Sequence, residues 1–396
     1  MDPLIGLLAA LLVAAFLGEI AHHLKVPRVI GHIAAGLVLG IPAVKVLVFD
    51  GESVTLLSYL AQIGVILLLF FTGLEVNFRS FVRNIRVASG ISFANTTLAL
   101  VAGYLVSRYV FGLSGEVSFI VGVCLSVTAA ALALDLLEEF RLLKSRFGTL
   151  VVSASAVDDV YELGIIAVAV SFITAVVAKD ALVTVFLDAA LFVVLVGLFR
   201  LLIIPFILRF IEHGTAASLV TSGIIITLLL ATLSNILGLG AFIGALISGM
   251  LVRQALLSDV KHHRPWEANS ISHSIHTVAF GFFVPLFFVH VGLLTDVTAI
   301  WENVVFGVVI TVIAIVGTVV GSALGYIAQG GKWREGWLLG WALNAKGDTE
   351  MVIATLALES GIISSQIFSS LIFMAVVSTM VSPLVFRSLL RRQKLR

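Results

Sequence analysis

Apolar residues fill runs of about twenty positions from one end of the chain to the other, and short polar joints separate them. Thirteen such segments are predicted, at about 3–22, 28–47, 55–74, 86–109, 116–137, 147–177, 181–208, 217–236, 239–257, 274–294, 303–328, 335–358 and 366–388. A helix of that length crosses the ~30 Å hydrocarbon core of a bilayer. The fold class read from this pattern is an all-α polytopic membrane protein with 13 transmembrane helices. The first segment follows Asp2-Pro3 with no basic start, so it is read as a membrane helix and not as a cleaved secretory signal.

The joints test that count. Basic residues gather after odd-numbered segments, for example Lys25 and Arg28, Arg79 to Arg86, Arg141 to Arg146, Arg209, Arg253 to Arg264, Lys332 and Arg334, and Arg387 to Arg396. After even-numbered segments the joints hold only Lys45, Arg108 and Lys179. Because basic loops stay on the cytoplasmic side, the expected orientation is N-terminus outside and C-terminus inside, in the cell membrane.

Two segments are interrupted at mid-depth. The fifth carries Ser126 and Thr128 in Cys124-Leu-Ser-Val-Thr-Ala-Ala-Ala; the twelfth carries Asn344, Lys346, Asp348 and Glu350 in Asn-Ala-Lys-Gly-Asp-Thr-Glu. Paired interruptions in two halves point to a transporter with inverted repeats, in which unwound backbone lines a midplane site. Pairing segment five with twelve gives an offset of seven. Repeat one then spans about 3–177, a linker helix about 181–208, and repeat two about 217–388. The odd offset inserts the second repeat upside down. The plainer reading of Ser126 and Thr128 is a bond to their own helix backbone.

Composition agrees: 60% of the residues are apolar and 12% charged, where a soluble domain carries about a quarter charged. The net charge of +1 is spread over short joints, so no nucleic-acid partner is expected. Cys124 is the single cysteine, forms no intrachain disulfide, and is read as a small buried residue. Loops are short, no soluble regulatory domain is expected, and the basic tail after Phe386 is expected beside anionic headgroups. His32, His276 and His290 lie in or near apolar runs, where packing competes with a pH-sensing role. His22, His23, His262, His263 and His273 fall in basic joints with no metal-site spacing.

The candidate chemistry lies in the sixth segment. Ser155-Ala-Val-Asp-Asp-Val-Tyr-Glu162 places two adjacent carboxylates and a third one turn later inside an apolar run. On a helix Ser155, Asp158 and Glu162 share a face, with Asp159 about 100° around from Asp158. A carboxylate at membrane depth costs several kcal/mol unless paired, hydrated or coordinated. The cluster outlines a cation or proton site. The alternative is that these acids sit in a watered crevice and only tune packing.

Val26-Pro-Arg-Val-Ile-Gly-His-Ile-Ala-Ala-Gly, Ile63-Gly-Val-Ile-Leu-Leu-Leu-Phe-Phe-Thr-Gly-Leu-Glu75, Gly240-Ala-Phe-Ile-Gly-Ala-Leu-Ile-Ser-Gly and Val284-Pro-Leu-Phe-Phe-Val-His-Val-Gly-Leu resemble the monovalent cation:proton antiporter-2 family, of Kef-type and Nap-type exchangers. The likeness covers nearly the whole chain. It implies a core with two broken helices crossing at the ion site, a second domain that mediates homodimerisation, and elevator-like movement. It also implies that Asp159, second of the Asp-Asp pair, carries proton and cation in turn, and that Asp-Asp members resemble sodium exchangers more than potassium exchangers.

Two departures stand out. Where such members carry a lysine in a Lys-x-x-Gly pattern in the eleventh helix, this chain has Thr318-Val-Val-Gly321, which leaves Lys346 as a candidate partner for Asp158. Glu162 is an additional acid, either for a second cation or facing a watered vestibule.

The function expected is therefore Na⁺(Li⁺)/H⁺ antiport by competition at Asp159, with Asp158, Thr128 and Ser155 as further oxygen ligands, Glu162 beside them, and the helix-break residues in support. No cofactor and no enzymatic activity are expected, only transported cations and protons. The alternatives are K⁺/H⁺ exchange, a passive cation channel and, remotely, an intramembrane aspartyl protease using Asp159 and Asp348. Against the last, Asp348 follows Ala-Lys-Gly and not Gly-x-Gly.

Overall fold

The computed structural model describes residues 3–24, 26–75, 85–143, 145–178, 182–203, 216–258, 273–347 and 349–393, and among them every regular element is a helix. In chain order these are α1 (Pro3–His23), α2 (Arg28–Leu39), α3 (Pro42–Val48), α4 (Gly51–Glu75), α5 (Ile85–Leu105), α6 (Gly115–Ser126), α7 (Ala130–Glu139) and α8 (Arg146–Ala178). There follow α9 (Leu182–Leu198), α10 (Ala216–Ile236), α11 (Ala241–Ser258), α12 (His273–Leu294), α13 (Val297–Glu302), α14 (Val304–Ala328), α15 (Trp333–Leu343), α16 (Thr349–Glu359) and α17 (Ser365–Gln393). Six helices among the described residues are long and apolar enough to cross a membrane singly, or seven if the bent pair of α2 and α3 is one span. The bend of that pair is 87°. It falls at Ile41-Pro42, where proline forces its predecessor into extended backbone and then sits without penalty in the first turn of α3.

The chain divides into two compact units that do not follow the expected repeat boundaries. One takes Met1–Phe16, His32–Val76 and Val170–Gly292; the other takes Leu17–Gly31, Asn77–Ala169 and Leu293–Arg396. Each unit therefore draws on both halves of the sequence.

In the first unit α4 packs on α11, and α11 on α10. Gly73 and Gly249 face each other, so a methyl group on either would strike the backbone of the opposite helix. Such small-residue contacts replace the hydrophobic effect as the means of bringing helices together in lipid. Around them Phe70, Leu74, Ile226, Leu230, Leu251 and Ile275 form an apolar core. The Arg253 guanidinium donates to the Leu74 carbonyl, satisfying an acceptor left open near the C-terminal end of α4. Leu4, Leu8, Leu12 and Phe16 recur every fourth residue along α1 and are all at least 58% exposed, as a lipid-facing stripe requires.

In the second unit α5 lies along α14. The stripe Gly317, Gly321 and Gly325 permits the approach: a Cβ at Gly317 would come within 2.7 Å of Ala99 Cα, and one at Gly321 within 2.5 Å of Asn95 Cα. Asn95 is thereby fixed to backbone precision at mid-helix. Leu136, Leu137, Val151, Leu338, Leu339 and Phe386 form the apolar floor of this unit.

Candidate functional site at the helix breaks

Both predicted interruptions are breaks in the helix. Between α6 and α7, Val127, Thr128 and Ala129 leave the helical ladder; Val127 takes φ −72°, ψ 144° and Ala129 takes φ −101°, ψ 95°. Between α15 and α16, Asn344, Ala345, Lys346 and Gly347 do the same, while Asp348 lies outside the described residues. Neither stretch contains proline, so the open backbone must be held by tertiary partners.

The two breaks hold each other. Ala129 N–H donates to the Ala345 carbonyl at 2.7 Å. The Lys346 ammonium, wholly buried, donates to the Val127 carbonyl at 2.6 Å. Cys124 Sγ lies 3.7 Å from the Glu350 carbonyl, so the last turn of α6 touches the first turn of α16. In this way the two breaks are bonded to each other.

Each break is also held by one long helix. Glu162 on α8 accepts from both Thr128 N–H, at 2.6 Å, and Thr128 Oγ1–H, at 2.8 Å, through one oxygen. On α17, Thr379 Oγ1 accepts from Lys346 N–H at 3.2 Å. Asn344 Nδ2 donates to Ser378 Oγ at 3.2 Å and Ser382 Oγ at 2.8 Å, and Ser378 Oγ–H donates back to the Asn344 carbonyl at 3.1 Å. Helical spacing puts Ser378 and Ser382 on one face, so that α17 presents a hydroxyl ladder to the break.

The acids of α8 occupy different surroundings. Asp158 is 1% exposed and its Oδ2 accepts from Asn95 Nδ2 at 3.2 Å. One turn earlier, Ser92 Oγ–H donates to the Ala154 carbonyl at 3.3 Å, which keeps α5 and α8 in register. Asp158 Oδ1 and Ser155 Oγ are buried with no hydrogen-bond partner among the described residues. Residues 155 and 158 lie three apart, on one face of α8. Asp159 is half-buried, and Glu162 is buried.

Several expectations change. Asp158 and Lys346 are not hydrogen-bonded to each other: the ammonium donates to the Val127 carbonyl, and Asp158 Oδ2 accepts from Asn95. Glu350, Glu162 and Asp158 are the acids whose charge acts on Lys346. Thr318, where a lysine is expected, is buried with its Oγ1 unpartnered among the described residues. Ser126 Oγ–H returns to the Val123 carbonyl of its own helix at 2.8 Å, the plainer of the two readings for that residue. The Thr128 hydroxyl is directed to Glu162. Glu350 is buried in the first turn of α16, where the helix dipole favours a negative charge. His276 stacks on Phe280 with ring centroids 4.5 Å apart, a packing role, and His262 and His263 fall outside the described residues.

Asn95 and the Ser378, Thr379 and Ser382 ladder are site residues that sequence reasoning passes over. Their signal is nonetheless present: Asn95-Thr-Thr is a polar triplet within a spanning apolar run.

Residues 7–392 match the family described as sodium/hydrogen exchanger, transmembrane. The chain is 25% identical over 391 residues to a Na⁺/H⁺ antiporter of Enterococcus hirae, with 97% of each chain covered. It is 27% identical over 368 residues to the Na⁺/H⁺-K⁺ antiporter GerN of Bacillus cereus, with 92% of this chain and 90% of that one covered. Among solved structures it resembles a sodium proton antiporter of Methanocaldococcus jannaschii, with a TM-score of 0.70, 16% identity, and 96% of this chain and 95% of that one covered.

Proposed function

Since the chain belongs to the transmembrane sodium/hydrogen exchanger family, and is thus a multi-pass cation/proton antiporter rather than an enzyme, we propose that it exchanges Na⁺ or Li⁺ for H⁺ at Asp159. The observation that carries this reading is the contact of two unwound segments, joined by the Ala129–Ala345 and Lys346–Val127 hydrogen bonds, beside buried carboxylates. Unwound backbone at membrane depth is tolerated where it lines a site, and a carboxylate there is retained for its chemistry.

In this mechanism a proton and a cation compete for the Asp159 carboxylate. Asp158 and Ser155 supply further oxygens for the dehydrated cation, and a small hard ion needs several. The loaded site, with its charge compensated, crosses between the two sides, whereas the empty site, bearing an uncompensated charge, does not. Obligatory exchange follows from that difference. The division into units supports the inverted repeats: the unit holding the breaks takes most of segments four to six and eleven to thirteen, which are pairs at the offset of seven. In this reading the thirteen helices run from an outside N-terminus to a cytoplasmic C-terminus, the other unit mediates a homodimer, and transport moves one unit against the other. No cofactor enters.

A second reading, K⁺/H⁺ exchange, is favoured by the Bacillus cereus relative, whose name includes both ions. Reconstitution into pH-loaded liposomes decides between them. Na⁺ or Li⁺ added outside should collapse the pH gradient at lower concentration than K⁺, and the reverse order would assign the K⁺ reading. Current through the membrane without proton movement would identify a channel and refute both.

A further inference from the structure

One peptide group in the first break has a buried ionisable side chain at each end. The carbonyl of Val127 and the N–H of Thr128 belong to the same planar trans unit, so they point in opposite directions. The carbonyl accepts from Lys346 Nζ at 2.6 Å, and the N–H donates to Glu162 Oε1 at 2.6 Å. The negative end of the peptide dipole therefore faces the ammonium, and its positive end faces the carboxylate. Lys346 is 0% exposed and Glu162 is 4% exposed. Neither charge has bulk water to compensate it, and charge-assisted hydrogen bonds are about twice as strong as neutral ones.

We propose that Glu162 is a positioning residue that holds the Val127–Thr128 peptide against Lys346, the two side chains forming an ion pair relayed through the backbone. Glu162 then does not carry cargo. Its second bond, from the Thr128 hydroxyl, fixes the χ1 of Thr128 and so the whole apex of the first break. The assignment accounts for an acid one turn beyond the Asp158–Asp159 pair: it supplies a charge for Lys346 from α8. Glu350 faces the same ammonium from the second break, and Asp158 and Asp159 face Glu162 along α8. The inference rests on the reading of the joined helix breaks as the ion site, and its test separates the two.

The test is a double-mutant cycle on the full-length protein, using Glu162→Gln, Lys346→Gln and the double variant, with Glu350→Gln as the comparison partner. Two quantities are read: thermal stability in detergent, which does not need transport, and the half-saturating Na⁺ concentration against maximal rate in liposomes. Each single substitution removes the charge at one end of the peptide and keeps the charge at the other. It is expected to lower Tm and raise half-saturating Na⁺ by about tenfold, with a smaller change in maximal rate. The double variant is expected to recover most of both losses, because two neutral amides can still bond the peptide at its two ends. Lys346→Arg, which keeps the charge, should retain cation affinity.

Additive losses in Tm would overturn the relayed pair, as would rescue of Lys346→Gln by Glu350→Gln and not by Glu162→Gln. A Glu162→Gln variant with unchanged Tm and a lowered count of ions moved per cycle would make Glu162 a carrier and also overturn it. If the wild type moves no cation, the exchange reading falls while the Tm cycle still decides the pair.

Discussion

The two helix breaks are both unwound and differ in what holds them. At Val127–Ala129 the backbone is gripped by charges, Lys346 on the carbonyl side and Glu162 on the amide side. At Asn344–Gly347 the grip from α17 is neutral, through Thr379, Ser378 and Ser382. Neutral hydroxyls satisfy unwound backbone without adding charge to a low-dielectric region, whereas a charged grip couples the backbone to every nearby ion. The second break is thus built as scaffold. Under the proposed exchange at Asp159, the first is the one placed to respond when the site is loaded, one turn from Glu162.

The comparison can be broken in stages. The largest effect is expected where packing sets the approach of α5 to α14: Gly321→Leu drives a side chain into Asn95 Cα and should prevent accumulation of folded protein, read by monodispersity in detergent. Normal yield and stability would mean that the two helices are not held at backbone contact.

At the first break, Thr128→Val removes one of two bonds to the Glu162 carboxylate. The affected bond has a charged partner, so half-saturating Na⁺ should rise about tenfold, equivalent to about 1.5 kcal/mol. At the second break, the pair Ser378→Ala and Ser382→Ala should cost about 1–3 kcal/mol of stability by leaving the Asn344 amide without acceptors. Half-saturating Na⁺ should stay within about twofold of wild type. If the serine pair changes affinity more than Thr128→Val does, the contrast between the breaks is reversed.

The smallest effect is expected at Asp296, outside the spanning segments. Its carboxylate accepts from Thr298 Oγ1–H at 2.6 Å and from Thr298 N–H at 2.8 Å, capping α13. The Thr298 hydroxyl first, and the Ala299 and Thr298 amides after it, hold this carboxyl below its ordinary value of 3.8. A lowered folded-state value means that the cap contributes fully at neutral pH and loses its contribution as pH falls below about 4. The Tm difference between wild type and Asp296→Asn should therefore be slight at pH 7 and narrower still at pH 3. A difference that widens on acidification would contradict the assignment.

Much of this was legible in the sequence. Among the described residues the apolar runs are helical, but only six or seven of the thirteen expected spans are long and apolar enough to cross, and the second run bends at Ile41-Pro42. The unwound stretches lie where Ser126 to Thr128 and Lys346-Gly347 interrupt those runs, because polar groups at membrane depth cannot sit idle. The partners were not legible. Asn95 precedes Asp158 by 63 positions, and only the glycine stripe of α14 reveals that α5 is held rigidly enough to present it. Glu162 announces its cost but not its object, since an acid one turn from an Asp-Asp pair reads equally as ligand or as brace. The signature runs of the first unit carry a different lesson. Gly73 and Gly249, each inside a stretch that marks the family, are contact points between helices, so those motifs report packing and not ion chemistry.

The central claim is that one carboxylate takes proton and cation in turn. It is tested most directly by Asp159→Asn, purified, shown to be folded, and reconstituted in pH-loaded liposomes beside the wild type. The account predicts that the wild type collapses the pH gradient on addition of Na⁺ or K⁺ and that the variant does not do so at any concentration. Exchange by Asp159→Asn at the wild-type rate would contradict it.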